Sequence, residues 1–230
     1  MNAPLLGISS MATRPWLAAV CEAIARQTGA SIRFESVGGV DAAARVAGGE
    51  AFDLVVLAAD ALDKLAVAGH VVAASLRPLA LSQVAIAVPA GAVRPDVRSE
   101  PALRAAVLAA SRIGYSTGPS GVALLQLFAR WGLLEPLRER LVQARPGVPV
   151  AALLARGQAE LGFQQLSELK DEPGIALLGT MPPGLEIVTT FSGAVGAHST
   201  RAAEASEALD FITSPAADDL RSLHGMTRPT

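Results

Sequence analysis

RIGYSTGPSGVALLQLFARW, residues 112–131, is the stretch whose reading decides the fold. Ile113, Gly114 and Tyr115 run as a short buried strand, residues 116–121 cannot continue it, and residues 122–131 repeat apolar side chains at helical spacing. The glycine-rich turn is therefore a helix N-terminus. Unpaired backbone N–H groups there join the hydroxyls of Ser116, Thr117 and Ser120 and can surround the oxygens of a small anion. The glycines let a ligand approach the backbone. The competing reading is that Ser120 caps its own helix.

The same pattern opens the chain. Residues 5–8 read as a buried strand ending in Ser9-Ser10, and Pro15 opens a helix over Trp16, Leu17, Val20 and Ile24 toward Gly29. A second strand, residues 31–36, stops at Val37-Gly38-Gly39-Val40; residues 41–47 are helical and 52–58 form a third strand. Alternation of strand and helix predicts parallel strands joined by crossover helices. VDAAARVAGGEAFDLVVL, residues 40–57, also sits beside VPVAALLARGQAELGFQQ, residues 148–165, with Ala43, Ala44, Ala47, Gly49 and Ala51 meeting Ala151, Ala152, Ala155, Gly157 and Ala159. Two α/β halves built on one plan would face equivalent strand ends across a cleft, where open α/β sheets bind ligands.

Further along, residues 60–69 read as helix, 83–88 as strand, 102–110 and 134–141 as helix, and 175–178 as strand. Residues 187–197 are largely extended and return the chain to the first half, and residues 200–212 and 215–223 close it as helices. The expected division is a discontinuous first lobe, residues 1–81 with 191–230, and an inserted second lobe, residues 82–190. Two crossings imply a hinge, with closure driven by a ligand that favours the closed form.

Composition narrows the function. With 51% hydrophobic residues in 230, the chain can bury a sizeable core. Its 19 basic against 21 acidic residues lack the excess that would gather nucleic acid or an anionic membrane, so neither is an expected partner and any anion site must be local. No apolar run approaches the ~20 residues that span a bilayer. Met1-Asn2-Ala3-Pro4 shows no export leader, which reads as cytoplasmic as written and periplasmic if a leader was removed. Cys21 stands alone, and His70, His198 and His224 have no metal-ligand neighbour at helical spacing, so no metal or cofactor is expected.

With both halves laid out, the chain resembles the substrate-binding proteins of ABC importers, in particular their molybdate-binding branch. The resemblance covers nearly the whole length and implies a two-lobed α/β fold, each lobe a mostly parallel sheet flanked by helices. It implies that neutral donors grip an oxyanion or small carboxylate, that an importer's membrane component is the partner, and that the counterparts of the family's binding positions are Ser9-Ser10, Gly38-Gly39, Ser120-Gly121-Val122 and Phe163-Gln164-Gln165. Here Gly38-Gly39 stands where the molybdate proteins carry serine and Gln165 where they carry tyrosine, so two hydroxyls are lost. Gln164 and Gln165 point to opposite faces, and Gln165 is the one expected to reach the ligand. Arg14, four residues beyond Ser10, adds a guanidinium that could take a carboxylate bidentately, against the plain alternative of a solvated arginine.

Two other classes stay open. Relatives of the molybdate proteins isomerise aconitate, which needs a base near the ligand; His198 is the imidazole nearest a hinge. A ligand-sensing domain that passes closure to another protein is the third.

Overall fold

The computed structural model describes residues 3–229. β1 (Leu5–Ser10) forms because its residues suit a sheet covered on both sides: all but Leu6 are buried. After one tight turn over Met11–Thr13, α1 (Arg14–Thr28) sets Trp16, Leu17, Val20, Ala23 and Ile24 on its buried face. β2 (Ile32–Val37), α2 (Gly39–Ala47), β3 (Leu54–Ala58) and α3 (Ala59–Val67) continue the alternation. β4 (Arg77–Pro89) is long, and α4 (Glu100–Ala109), β5 (Ile113–Tyr115), α5 (Pro119–Arg130) and α6 (Leu134–Leu137) follow it. Then come β6 (Leu141–Gln143), α7 (Val150–Ala155), β7 (Leu161–Gln165), α8 (Leu166–Leu169), β8 (Ile175–Thr180) and β9 (Val188–Val195). α9 (Ala202–Thr213), α10 (Asp218–Leu223) and β10 (Met226–Thr227) complete the order.

These residues form two compact units, one running to Ser82 and resuming at Thr190, the other Gln83–Thr189. In the first, β1 lies between β2 and β3, parallel to both, and β9 runs antiparallel to β3. One face carries a core built on Trp16, Leu17, Leu79 and Leu209, the other a core built on Ile8, Ala42, Leu57 and Leu62. In the second unit β5 lies between β6 and β7, parallel to both, and β4 runs antiparallel to β7 and β8. Phe128, Leu103 and Phe163 pack on one side of it, Val150, Leu154 and Ala87 on the other.

The two halves of the internal repeat end their helices alike. Gly49 and Gly157 occupy aligned positions and both take left-handed φ, 87° and 65°. Gly49 N–H donates to Val46 O and Glu50 N–H to Arg45 O; Gly157 N–H donates to Leu154 O and Gln158 N–H to Leu153 O. The shared glycine thus closes α2 and α7 by one hydrogen-bond pattern, which a Cβ would oppose.

One expectation needs correction. Residues 134–141 are not a single helix: α6 stops at Leu137, Arg138–Arg140 tighten into one turn, and Leu141 begins β6. Leu134, Leu137 and Leu141 carry helical spacing, but Leu141–Gln143 pair in register with Ile113–Tyr115, and that sheet partner overrides the local pattern. Among the described residues no helix is long and apolar enough to cross a membrane.

Candidate functional site

In each unit three parallel strands stop at one edge, and the next elements begin there. In the first unit the register Ser9↔Ser36 and Ser9↔Val56 brings the ends of β1, β2 and β3 level. Ser9 is wholly buried, and its Oγ meets Ser36 Oγ at 2.8 Å. Thr13 Oγ1 donates to the Ser10 carbonyl at 3.0 Å and pins the turn into α1. Ser10 itself is 7% exposed, and its hydroxyl has no partner in the protein. Its Cβ lies 3.6 Å from where a Cβ on Gly39 would stand, so that hydroxyl sits beside the first turn of α2, whose N-cap Gly38 offers no side-chain cap. Early N–H groups of a helix have no carbonyl behind them, and this start combines them with an orphaned hydroxyl.

The second unit repeats the arrangement. Tyr115↔Phe163 and Tyr115↔Gln143 align β5, β6 and β7, so Ser116 and Thr117 share an edge with Gln164 and Gln165. Ser120 does not cap α5: Gly118 is the N-cap, without a side-chain bond, and Ser120 Oγ pairs with Ser116 Oγ at 2.9 Å. Gly121 and Val122 are also reassigned. Both donate to the Gly118 carbonyl, at 3.0 and 3.2 Å, because the first helical turn closes on itself, and Val122 is 55% exposed. What Gly121 supplies is room: a Cβ there would lie 1.9 Å from the Ser116 carbonyl oxygen. This helix start therefore presents the Ser116–Ser120 hydroxyl pair, with Thr117 half-buried next to it.

The two glutamines at the end of β7 have different surroundings. Gln164 Oε1 accepts from Val150 N–H at 2.7 Å, capping α7, and Gln164 Nε2 donates to Glu168 Oε1 at 2.8 Å. Gln165 Nε2 donates to Thr189 Oγ1 at 2.6 Å, while its Oε1 is buried without a partner. Burial pushes the partly buried Glu168 carboxyl up to about 7, against the opposing pull of the Gln164 amide, with Glu172 adding to the rise.

Among the described residues three buried side-chain polar atoms lack a partner: Ser10 Oγ, Gln165 Oε1 and Trp16 Nε1. Two of the three lie at the strand edges just described. The third is in the core of the first unit, under the Arg221 guanidinium, which stands 5.7 Å from the Trp16 ring. Arg14 and His198 are both exposed, Arg14 in the first turn of α1 and His198 in the turn after β9. Neither is drawn into the hydroxyl groups of the first unit.

Ser36 and Thr189 are the residues that sequence reasoning missed. Ser36 precedes the Gly38-Gly39 turn and supplies a hydroxyl from the strand where the turn has none. Alternation along β2 sets Ser36 on the face opposite Glu35, and the cross-strand register with Ser9 brings the two hydroxyls together. Thr189 is 24 residues from Gln165 and brings a hydroxyl to the amide standing where a tyrosine was expected.

A model of the bacterial extracellular solute-binding protein family matches residues 5–227. The chain is 39% identical over 173 residues to an aconitate isomerase from a Pseudomonas species, a match that covers 74% of this chain and 65% of that protein. It thus spans just under two thirds of that relative. Among solved structures it superposes on the periplasmic molybdate-binding protein of Azotobacter vinelandii with a TM-score of 0.82, at 20% identity, covering 98% of this chain and all of the other. The substrate-binding domain of a putative molybdenum ABC transporter from Clostridium difficile gives 0.76 at 14% identity, each chain covered in full. A sulfate-binding protein of Mycobacterium tuberculosis gives 0.76 at 17%, covering 98% of this chain and 86% of the other. At such identities the likeness speaks for the fold, and it is the two-lobed α/β fold that the sequence leads one to expect.

Glu168 gives the site a measurable pH signature. Its carboxyl rises from an ordinary 4.5 to about 7 on folding, so the folded chain holds that proton more tightly than the unfolded chain. The stability it contributes is complete below about pH 4.5 and is lost as the pH climbs through 7. Urea unfolding should show Glu168→Gln gaining about 2 to 3 kcal/mol over the parent between pH 5 and pH 8. Parallel profiles for the two proteins would mean that Glu168 ionises normally.

Proposed function

This chain belongs to the bacterial extracellular solute-binding proteins, and on that premise we propose that it captures a small anion, an oxyanion or a small carboxylate, through neutral donors. The observation that carries this reading is the Ser10 hydroxyl, buried, without a partner, and beside the start of α2. A fold seldom leaves such an atom unsatisfied, since the loss amounts to about 1–3 kcal/mol. A ligand oxygen would satisfy it. The Ser9–Ser36 and Ser116–Ser120 pairs add hydroxyls that can turn toward an acceptor. Among the described residues no guanidinium or ammonium is hydrogen-bonded to these hydroxyls, so in this reading recognition rests on oriented dipoles instead of counter-charge.

The donor groups in this reading are Ser9, Ser10, Gly38 and Gly39 in the first unit and Ser116, Thr117 and Ser120 in the second, where Gln165 adds an acceptor. The likeness to molybdate- and sulfate-binding proteins supports the anion, and membership of an extracellular solute-binding family supports work outside the cytoplasmic membrane, with the membrane component of an ABC importer as partner.

A second reading has its own support. The similarity to an aconitate isomerase suits proton transfer next to a bound carboxylate.

Two experiments test these readings. A thermal-shift screen of molybdate, tungstate, sulfate, phosphate and small di- and tricarboxylates should find a stabilising anion, and Ser9→Ala and Ser120→Ala should each weaken its binding by about 1 to 3 kcal/mol in titration calorimetry. Unchanged affinity in both variants would place the pocket elsewhere. For the second reading, cis- and trans-aconitate are followed by NMR in deuterated water with the parent protein. Interconversion with deuterium uptake supports an isomerase; binding without exchange removes it for that substrate.

A further inference from the structure

Gln165 Oε1 differs from the other orphaned atoms because it can only accept. Its amide partner atom is engaged, Nε2 donating to Thr189 Oγ1 at 2.6 Å, and the residue is 3% exposed. A fully ionised oxyanion has no hydrogen to offer this oxygen, and a bare carboxylate would be repelled by it. A ligand hydroxyl meets the need. It would donate to Oε1 while the anionic oxygens of the same molecule are left to hydroxyl donors such as Ser116 and Ser120.

We propose that the solute is a small hydroxylated carboxylate, its hydroxyl read by Gln165 Oε1, with Thr189 as the positioning residue that holds the amide in that orientation. This rests on the anion-binding reading of the same strand edge and narrows it to a ligand class. An ammonium group would also donate, but it would be buried without a counter-charge: the acidic group at this edge, Glu168, accepts from Gln164, on the opposite face of β7. Thr189 sets the direction of reading by accepting from Nε2, although its hydroxyl could also donate. With the amide turned over, Thr189 would donate to Oε1 and Nε2 would face the ligand, where a carboxylate oxygen would accept as well as a hydroxyl.

The test is titration calorimetry at pH 8 with pairs of acids that differ by one hydroxyl, succinate against malate and tricarballylate against citrate, with aspartate, sulfate and molybdate alongside. In at least one pair the hydroxy acid should bind about tenfold or more tightly than its partner, because a site built to bond a hydroxyl rejects the analogue lacking it. Gln165→Met should erase that preference. Thr189→Val should reduce the preference and Thr189→Ser should keep it, with melting curves confirming that each variant is folded. Equal affinity within both pairs, a preference for aspartate over malate, or binding of sulfate or molybdate alone would overturn the inference and leave the anion reading standing. Failure of every anion to bind would remove that reading and this inference with it.

Discussion

A buried polar atom without a hydrogen-bond partner costs about 1–3 kcal/mol, and this fold keeps two of them at the ends of parallel strands. That constraint organises the functional half of the molecule. A parallel strand that passes into a helix leaves early N–H groups facing the same edge as the last side chains of the strand. When those side chains are serine, threonine and glutamine, and their hydroxyls bond mainly to one another, the edge is complete except for an acceptor or donor that the chain does not provide. Ser10 and Gln165 mark where it is incomplete.

The arrangement is built twice. β2-β1-β3 and β6-β5-β7 have the same order and direction, and α2 and α7 end on equivalent left-handed glycines. Hydroxyl pairing recurs as well, Ser9 with Ser36 in one unit and Ser116 with Ser120 in the other, although the partners come from a neighbouring strand in the first case and from the following helix in the second. What differs is chemistry that could specialise each half. The first unit ends in hydroxyls alone, while the second adds an amide held by Thr189 and a carboxyl, Glu168, shifted toward neutrality.

Much of this was legible in the residues. Strand–hydroxyl–helix at LLGISS and RIGYST, and the paired alanine–glycine pattern, carry the α/β alternation because burial and helical spacing are local properties. β6 was not legible, since Leu134, Leu137 and Leu141 mimic a helix and only pairing with β5 makes the last of them extended. Motif comparison suggested that two hydroxyls had been lost, at Gly38-Gly39 and at Gln165. Ser36 and Thr189 place hydroxyls against Ser9 and Gln165 from positions that no spacing rule connects to them. Ser120 shows the opposite limit: a serine near a helix start suggests a cap, yet Gly118 fills that position and frees the hydroxyl for Ser116.

The account depends on Ser10 being kept for something other than the fold. Chemical unfolding and calorimetry on Ser10→Ala, using whichever anion stabilises the parent protein, address that directly. Removing a buried hydroxyl that bonds to nothing should leave the ligand-free protein as stable as before or more so, while the anion binds about tenfold or more weakly. A ligand-free protein that loses stability while its affinity stays the same would show that the hydroxyl serves the fold, and the account would fail.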